Sequence, residues 1–200
     1  MKILPCNDET LRDAAAVLNG GGVAVIPTDT VYGLAARPSF PEAVERLYSI
    51  KGREKRKKIA LLAADVAAVE MFGCPLPPKA RELAEKYWPG ALTIIIRKKS
   101  GLPANLTSND LIGLRIPDHK FTRELIRLTG PLAVTSANVS GRTPAKSVTE
   151  FGDMLSSRLD LIIDDGPSLG GVPSSVINCE TDPAVILREG AISGKELLAC

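Results

Sequence analysis

Short apolar runs alternate with helical patterns along the chain, and this alternation limits the possible folds more than any other feature. Apolar runs that stop at proline, glycine or polar residues predict buried strands at 23–27, 59–64, after Pro89-Gly90, 112–117, 131–138, 159–166, 174–179 and 184–190. Amphipathic spacing predicts helices from Asp8 or Thr10 to Leu18 and at 41–50, 78–87 and 121–130. Strands interleaved with helices predict a mixed sheet with both faces largely covered.

The chain shows no sign of division into separate units. It has no internal repeat, no low-complexity segment and no long linker rich in proline or glycine. Its 200 residues are enough for one core. We therefore expect one domain over residues 1–200.

The composition is that of an ordinary globular protein, with 44% hydrophobic and 24% charged residues. No apolar run approaches the roughly 20 residues of a membrane span, and the first ten residues, MKILPCNDET, contain no apolar signal region. We therefore expect a cytoplasmic protein that does not contact a membrane. The net charge of +2 argues against a polycation that coats nucleic acid, although KGREKRKK at 51–58 is a local concentration of basic residues.

Cysteine and histidine are sparse. The four cysteines, Cys6, Cys74, Cys179 and Cys200, lie far apart without a CxxC pair, which is typical of reduced thiols or packing residues. The single histidine, His119, has no cysteine nearby, so we expect no structural zinc site.

Familiar nucleotide-binding and catalytic motifs are absent from the sequence. It contains no GxxxxGK[ST] phosphate loop and no GxGxxG after a strand, which disfavours P-loop and Rossmann binding. It also contains no HExxH and no nucleophile elbow. A Ser-His-Asp or Cys-His arrangement would depend on His119 alone, and a place near the first turn of the following helix is its simpler interpretation. Covalent catalysis is therefore not expected.

Polar residues instead follow several predicted strands, where open α/β sheets place their ligands. Arg115 lies inside an apolar strand, which is costly unless an anion of the protein or of a ligand pairs with it. The clusters also have plainer explanations: a local turn, a helix dipole complemented by basic residues, or a solvated basic loop. The clusters are PTDTVYGLAA at 27–36, Lys51-Gly52-Arg53, Arg115, TSANVSG at 135–141, and Pro173-Ser174-Ser175 followed by Arg188.

Taken in order, PTDTVYGL, KGR, LRIPDH, TSANVSG, a Ser-Ser strand and ILREG resemble the YrdC-type family of threonylcarbamoyl-AMP synthases. The resemblance runs from roughly residue 8 to residue 195, and the pairs Lys51/Arg53 and Ser136/Asn138 match the active-site pattern of that family. It implies an α/β fold of the α+β type, a twisted mixed parallel and antiparallel sheet flanked by helices. This YrdC-like fold surrounds a large concave basic cavity.

The resemblance also implies a reaction. ATP, L-threonine and bicarbonate would give threonylcarbamoyl-AMP and pyrophosphate, with Mg²⁺ carried by the phosphates and not by protein side chains. The threonine amine would attack bicarbonate or CO₂, and the carbamate oxygen would attack the α-phosphate. Catalysis would then rest on positioning and electrostatics, without a protein nucleophile. Downstream tRNA threonylcarbamoyl-transfer proteins would use the product to make the t6A modification, and direct contact with tRNA or double-stranded RNA is left open.

The same resemblance assigns the ATP-binding residues. Lys51 and Arg53 match catalytic residues that contact the triphosphate, where two cations would neutralise the charge that grows as pyrophosphate leaves. Ser136, Asn138 and Arg188 match further nucleotide contacts.

The L-threonine-binding residues are implied in the same way. They are Thr28, Arg115, the backbone of Val134, and Ser174. Arg115 would hold the substrate carboxylate bidentately, because the guanidinium fork matches the geometry of a carboxylate.

The chain departs from the family pattern in two places. Many relatives continue Lys-x-Arg with proline and a Pro-Leu strand start, whereas this chain has EKRKKIA at 54–60, so we expect a more basic loop. A role for Lys57 in phosphate binding is left open. Leu62 stands where some relatives carry a histidine near the threonine, so that contact is expected to be absent. We also expect the short, single-domain form, in which any lid comes from the chain's own segments.

Three other interpretations compete with the synthase. A YrdC-like protein without synthase activity could bind double-stranded RNA or tRNA in its basic cavity, although the chain has only four Phe, three Tyr and one Trp on which bases could stack. A carbamoyl-adenylate chemistry with another acceptor occurs in hydrogenase-maturation carbamoyltransferases, which are much longer chains. In a purely structural interpretation every polar cluster would be a turn.

Overall fold

The described part of the chain contains ten strands and six α-helices. The computed structural model describes residues 2–54, 58–102, 106, 109–141, 143–145, 147–151, 158–168 and 170–199. The strands are β1 Lys2–Pro5, β2 Ala24–Ile26, β3 Gly33–Ala36, β4 Ala60–Leu62, β5 Leu92–Arg97, β6 Leu111–Arg115, β7 Leu132–Ser136, β8 Leu161–Asp164, β9 Ser175–Asn178 and β10 Val185–Arg188. The helices are α1 Leu11–Asn19, α2 Pro41–Lys51, α3 Val66–Glu70, α4 Pro78–Tyr87, α5 Lys120–Thr129 and α6 Gly194–Leu198, with a 3₁₀ turn at Val148–Phe151.

Each predicted strand and helix is present in the structure, and four short elements were missed. The missed elements are β1, β3, α3 and α6. The residues of β1 are mostly exposed on the sheet edge, and β3 is built from glycine, leucine and alanine, so neither has the alternating or β-branched pattern of a strand. No helix among the described residues is long and apolar enough to cross a membrane.

All ten strands form one mixed sheet, which confirms the predicted fold class. The strand order is β1-β8-β2-β3-β7-β4-β6-β5-β9-β10. Pairs β1/β8, β2/β8, β4/β6 and β5/β9 are parallel, and the other five neighbouring pairs are antiparallel. The apolar run predicted as a buried strand at 59–64 forms β4, which lies inside the sheet between β7 and β6.

Helices pack on both faces of the sheet. Along β2, Val25 belongs to the buried cluster that includes residues of α2 and α4, whereas Ala24 and Ile26 belong to the cluster that includes residues of α1 and α5. This alternation follows from the period of two along a strand. The face that carries α1 and α5 near β2 also carries a cavity farther along the sheet, over β7, β4, β6, β5 and β9.

Candidate active site

A cavity of about 280 Å³ lies on the sheet face described above, and alternate residues of five neighbouring strands point into it. The lining residues are Thr28, Thr30, Val31, Tyr32, Gly33, Arg53, Lys58, Ile59, Ala60, Leu62, Thr93, Ile95, Gly113, Arg115, Val134, Thr135, Ser136, Pro173, Ser174, Val176, Leu187 and Arg188. Seven of the nine predicted site residues are among them: Thr28, Arg53, Arg115, Val134, Ser136, Ser174 and Arg188.

Lys51 and Asn138 lie behind the cavity wall. The ammonium of Lys51 donates to the backbone oxygen of Ser136, to the backbone oxygen of Asn138 at 2.7 Å and to Asn138 Oδ1 at 2.9 Å. The lysine is only 1% exposed, and burial, with a smaller contribution from Arg53, lowers its pKa to about 7. Its hydrogen bonds to Ser136 and Asn138 hold the turn after β7, and direct contact with a triphosphate stays a prediction.

The turn after β7 is held in place from several directions. The hydroxyl of Ser136 donates to Asn138 Oδ1 at 2.6 Å, and the backbone N–H of Ala137 donates to the oxygen of Tyr32 at 2.8 Å. The backbone N–H of Ser140 donates to the oxygen of Lys51 at 2.9 Å, which joins the turn to the end of α2. These bonds fix the position at which Ser136 faces the cavity.

Arg53 enters the cavity because α2 ends sharply. Gly52 has a φ of 57°, a left-handed conformation that glycine adopts without strain, and the chain turns there toward the sheet. One Nη of Arg53 donates to the backbone oxygen of Lys58 at 2.8 Å. Burial lowers the pKa of Arg53. Lys58 also lines the cavity, whereas Lys55, Arg56 and Lys57 lie outside the described residues.

Arg115 is paired inside the protein, as its place in an apolar strand predicted. Its Nη2 donates to Asp29 Oδ1 at 2.6 Å, its Nη1 to Thr30 Oγ1 at 3.0 Å and its Nε to the backbone oxygen of Gly90 at 2.9 Å. The side chain is only 7% exposed. Burial lowers its pKa, and the carboxylate of Asp29 opposes that effect.

Ser174 and Arg188 form a second polar group on the wall opposite β7. Nε and Nη2 of Arg188 donate to the backbone oxygen of Ser174 at 3.0 and 2.7 Å, and Nη2 also reaches Ser174 Oγ at 3.2 Å. Ser174 Oγ shares a hydrogen bond of 2.9 Å with Thr93 Oγ1. The predicted nucleotide residue Arg188 therefore rests directly on the predicted threonine residue Ser174.

The cavity is strongly cationic. Arg53, Lys58, Arg115 and Arg188 line it, and none of the described lining residues is acidic. Burial lowers the pKa of Arg188, and the charges of Arg115 and Arg53, which line the same cavity, lower it further. Asp29, which is not among the lining residues, pairs with Arg115. The arrangement suits a polyanion that would neutralise several positive charges at once.

The floor of the cavity is apolar. Leu62, which stands where some relatives carry a histidine, lines the cavity together with Val134. At Gly33 and Gly113 the absence of a side chain keeps the floor open, since a Cβ at Gly33 would lie 2.6 Å from Val134 Cγ1. A small aliphatic group of a ligand could therefore pack here without a polar partner.

Sequence reasoning missed several lining residues, above all Thr30, Lys58 and Thr93. Thr30 belongs to the PTDT run, but its hydroxyl was not distinguished from that of a simple turn. Lys58 was seen only as one member of a basic run. Thr93 sits in an apolar strand, and only the pairing of β5 with β9 brings it to Ser174.

His119 was expected near the first turn of a helix, and the structure confirms this. It is the N-cap of α5, where its Nδ1 accepts the backbone N–H of Thr122 at 3.3 Å. No cysteine lies near His119 along the chain, but the fold brings one close to it. The ligand atoms of Cys6, His119 and Asp165 lie within 4.8 Å of one another.

Hydrogen bonds satisfy this second cluster without an ion. Since Nδ1 of His119 accepts, the neutral ring carries its proton on Nε2 and donates it to Asp165 Oδ2 at 3.1 Å. A metal would need the Nε2 lone pair and would move the proton to Nδ1, against the N–H of Thr122. Burial and a hydrogen bond to Asp165 raise the pKa of the Cys6 thiol to about 12.

Comparison with known proteins identifies the family. A family model for Sua5, YciO and YrdC proteins, described as "Telomere recombination", matches residues 16–190. The chain belongs to the Sua5/YciO/YrdC family. The resemblance seen in the sequence is thereby confirmed.

Relatives in this family are similar over the whole chain. A threonylcarbamoyl-AMP synthase of Bacillus subtilis is 37% identical over 199 residues, covering 98% of this chain and 58% of that protein. A putative threonylcarbamoyl-AMP synthase of Methanocaldococcus jannaschii is 34% identical over 204 residues, covering 100% and 97%. Pyrococcus abyssi Sua5 complexed with L-threonine has a TM-score of 0.91 and 32% identity, covering 95% of this chain and 58% of that one. The chain thus spans less than two thirds of two of these proteins.

Proposed function

We propose that this protein is an L-threonylcarbamoyladenylate synthase, a nucleotidyltransferase that uses ATP, L-threonine and bicarbonate. The observation that carries the proposal is the convergence of Arg53, Arg115 and Arg188 on one cavity, together with the hydroxyls of Ser136 and Ser174. Relatives named threonylcarbamoyl-AMP synthases at 33–42% identity favour this activity over RNA binding alone.

The triphosphate would lie between Ser136 at the end of β7 and Arg188 on the opposite wall, within reach of Arg53. Two guanidinium groups and a hydroxyl can each donate to phosphate oxygens, and Lys58 adds a further positive charge in the same cavity. Lys51 and Asn138 would act from behind, because their mutual hydrogen bonds hold the turn that presents Ser136. Charge develops on the leaving pyrophosphate, so fixed donors in a partly buried site would stabilise that transition state.

The amino acid would lie beside Arg115, which belongs to β6 between these two walls. Its carboxylate would take the guanidinium protons that remain, and its methyl group would pack on Leu62 and Val134. The complex of the Pyrococcus relative with L-threonine supports this choice of substrate. Ser174 lies against Arg188 and would contact either ligand.

The chemistry requires no covalent intermediate with the protein. The amine of threonine forms an N–C bond to the carbon of bicarbonate, from which water leaves, or to CO₂, in which case the amine releases a proton to solvent. A carbamate oxygen then attacks the α-phosphate, and the bond from the α-phosphorus to pyrophosphate breaks. The described lining residues include no carboxylate that could bind Mg²⁺. The site therefore fits Mg²⁺ only as MgATP, in which phosphate oxygens would be its ligands. Mg²⁺ would neutralise phosphate charge there, and the side chains would orient the substrates.

Pyrophosphate release tests the proposal. We expect release only when ATP, Mg²⁺, L-threonine and bicarbonate are all present, so each is omitted in turn. Arg53→Ala removes a donor aimed at the triphosphate and should lower kcat/KM by about 100-fold or more. The matched control is Arg81→Ala, an exposed arginine on α4 outside the cavity, which should leave the rate unchanged.

The outcome separates the enzyme from its main alternative. A folded protein that releases no pyrophosphate under these conditions would refute the synthase, and salt-sensitive binding of double-stranded RNA would then support the RNA-binding module. Transfer of the product to downstream tRNA-modifying proteins, direct tRNA contact and a cytoplasmic location stay predictions.

A further inference from the structure

Two buried threonines of the PTDT run share a hydrogen bond whose direction can be deduced. Their hydroxyl oxygens, Thr28 Oγ1 and Thr30 Oγ1, lie 3.1 Å apart. Thr28 Oγ1 also lies 2.6 Å from the backbone oxygen of Val31, which can only accept. A hydroxyl has one proton, so that of Thr28 is committed to Val31. In the bond between the two threonines, Thr30 must therefore be the donor.

The same reasoning gives the direction of the hydrogen bond between Thr30 and Arg115. Thr30 Oγ1 has given its proton to Thr28, so it faces Nη1 of Arg115 at 3.0 Å with a lone pair. The bonds then run in one sense, from Arg115 to Thr30, to Thr28 and to the backbone oxygen of Val31. Hydrogen bonds arranged in one sense polarise and strengthen one another.

The backbone of Thr30 is also held, which keeps its hydroxyl at this position. Its carbonyl oxygen accepts from Ser168 Oγ at 2.7 Å and from the N–H of Gly171 at 2.8 Å. Gly170 packs so closely that a Cβ there would lie 2.6 Å from the backbone oxygen of Asp29. Thr30 itself is 2% exposed.

We propose that Thr30 is a positioning residue that sets the orientation of the Arg115 guanidinium toward the carboxylate of the amino-acid substrate. This inference rests on the proposed function. Of the five N–H groups of Arg115, bonds to Gly90, Thr30 and Asp29 use three, which leaves one on each terminal nitrogen for a carboxylate. Without the hydroxyl of Thr30, Nη1 loses its bond, and the guanidinium is held by only two of its three bonds, those to Gly90 and Asp29.

The directions of these hydrogen bonds also limit which groups of Thr28 can contact a ligand. Its hydroxyl donates to Val31 and accepts from both the N–H and the hydroxyl of Thr30. Both lone pairs and the proton are therefore in use. Thr28 can present its methyl group to the amino acid, while Arg115, oriented by Thr30, supplies the polar contact.

The test replaces Thr30 by residues that differ in the hydroxyl. Thr30→Val keeps the shape and removes the hydroxyl, and we expect the KM for L-threonine to rise about tenfold, the effect of one hydrogen bond to a charged group. The KM for ATP and the kcat at saturating threonine should change little. Thr30→Ser should restore the KM for threonine. Thr129→Val is the matched control, since Thr129 is equally buried and bonds only to backbone oxygens of α5 and its end.

Calorimetric titration with L-threonine, alone and with an ATP analogue, supplies a readout besides turnover. We expect weaker binding in Thr30→Val and recovery in Thr30→Ser. If Thr30→Val does not fold, Thr30→Ala takes its place against the same serine variant.

The results distinguish the two proposals. If the wild type neither binds L-threonine nor releases pyrophosphate, the proposed function fails and the role of Thr30 fails with it. If the wild type is active and Thr30→Val keeps its KM and affinity for threonine, only the role of Thr30 is overturned. An equal rise in the KM for ATP and for L-threonine in Thr30→Val would also overturn it, and so would a KM for threonine that does not recover in Thr30→Ser. Either result would indicate that Thr30 has only a structural role.

Discussion

Replacing Asp29 by asparagine should destabilise the protein far more than the removal of a surface charge. Asp29 pairs with Arg115 at 2.6 Å, and the two side chains are 15% and 7% exposed. Asparagine keeps the shape and an acceptor oxygen but removes the compensating charge. Arg115 would then carry an uncompensated charge in a cavity that already contains Arg53 and Arg188.

The magnitude follows from burial. Breaking a buried ion pair by removing one partner costs about 3–5 kcal/mol, and the retained oxygen favours the lower end, about 3 kcal/mol. In a protein of 200 residues this loss corresponds to a decrease in Tm of about 6–12 °C. The same substitution at Asp13, whose pair with Lys2 is 58% and 63% exposed, should cost about 0–1 kcal/mol.

Urea unfolding followed by circular dichroism measures both variants, with Arg115→Met completing a double-mutant cycle. We expect Asp29→Asn to cost much less in the Arg115→Met background, because no buried charge is then left without a partner. Equal losses for Asp29→Asn and Asp13→Asn would refute the reasoning. So would a cycle in which the two substitutions at the buried pair simply add.

Two further predictions concern other parts of the structure. Gly33→Ala should destabilise the protein by about 1–3 kcal/mol and narrow the cavity, because the new Cβ would lie 2.6 Å from Val134 Cγ1. Thermal unfolding measures the change, and a Tm equal to that of the wild type would contradict this prediction. At about pH 8.5, iodoacetamide should modify Cys6 far more slowly than a free thiol, because only the thiolate reacts and burial and Asp165 raise its pKa to about 12. Asp165→Asn should accelerate alkylation of Cys6 and not of Cys179, as measured by mass spectrometry of the peptides, and an unchanged rate at Cys6 would argue against that hydrogen bond.

Most helices and strands could be predicted because their patterns are local. The helix at Pro78–Tyr87 has the bounds that its amphipathic spacing indicates, and the apolar run before Arg97 forms β5. The strand Gly33–Ala36 could not be found in this way, since it is a strand only because β2 and β7 lie on either side of it. A residue with weak strand preference takes that conformation when neighbouring strands provide hydrogen bonds and burial.

The candidate site also contains residues that the sequence could identify and contacts that it could not. Resemblance and strand-end position selected nine residues, and seven of them line one cavity. The other two, Lys51 and Asn138, bond to each other behind it. A sequence shows that a lysine has three protons to donate, but not which oxygens receive them, because these come from a strand far along the chain.

The sequence by itself determined the mixed α/β class, the order of the twelve predicted helices and strands, and the family, all of which depend on residue type and spacing. Only the tertiary structure decided which donors are free. Thr30 belongs to a polar cluster that the sequence could also explain as a local turn. Its role follows from Arg115, 85 residues away, whose side chain reaches the Thr30 hydroxyl from another strand. Hydrogen bonds act only over about 3 Å, so their partners are chosen by how distant segments pack, and no local pattern contains that information.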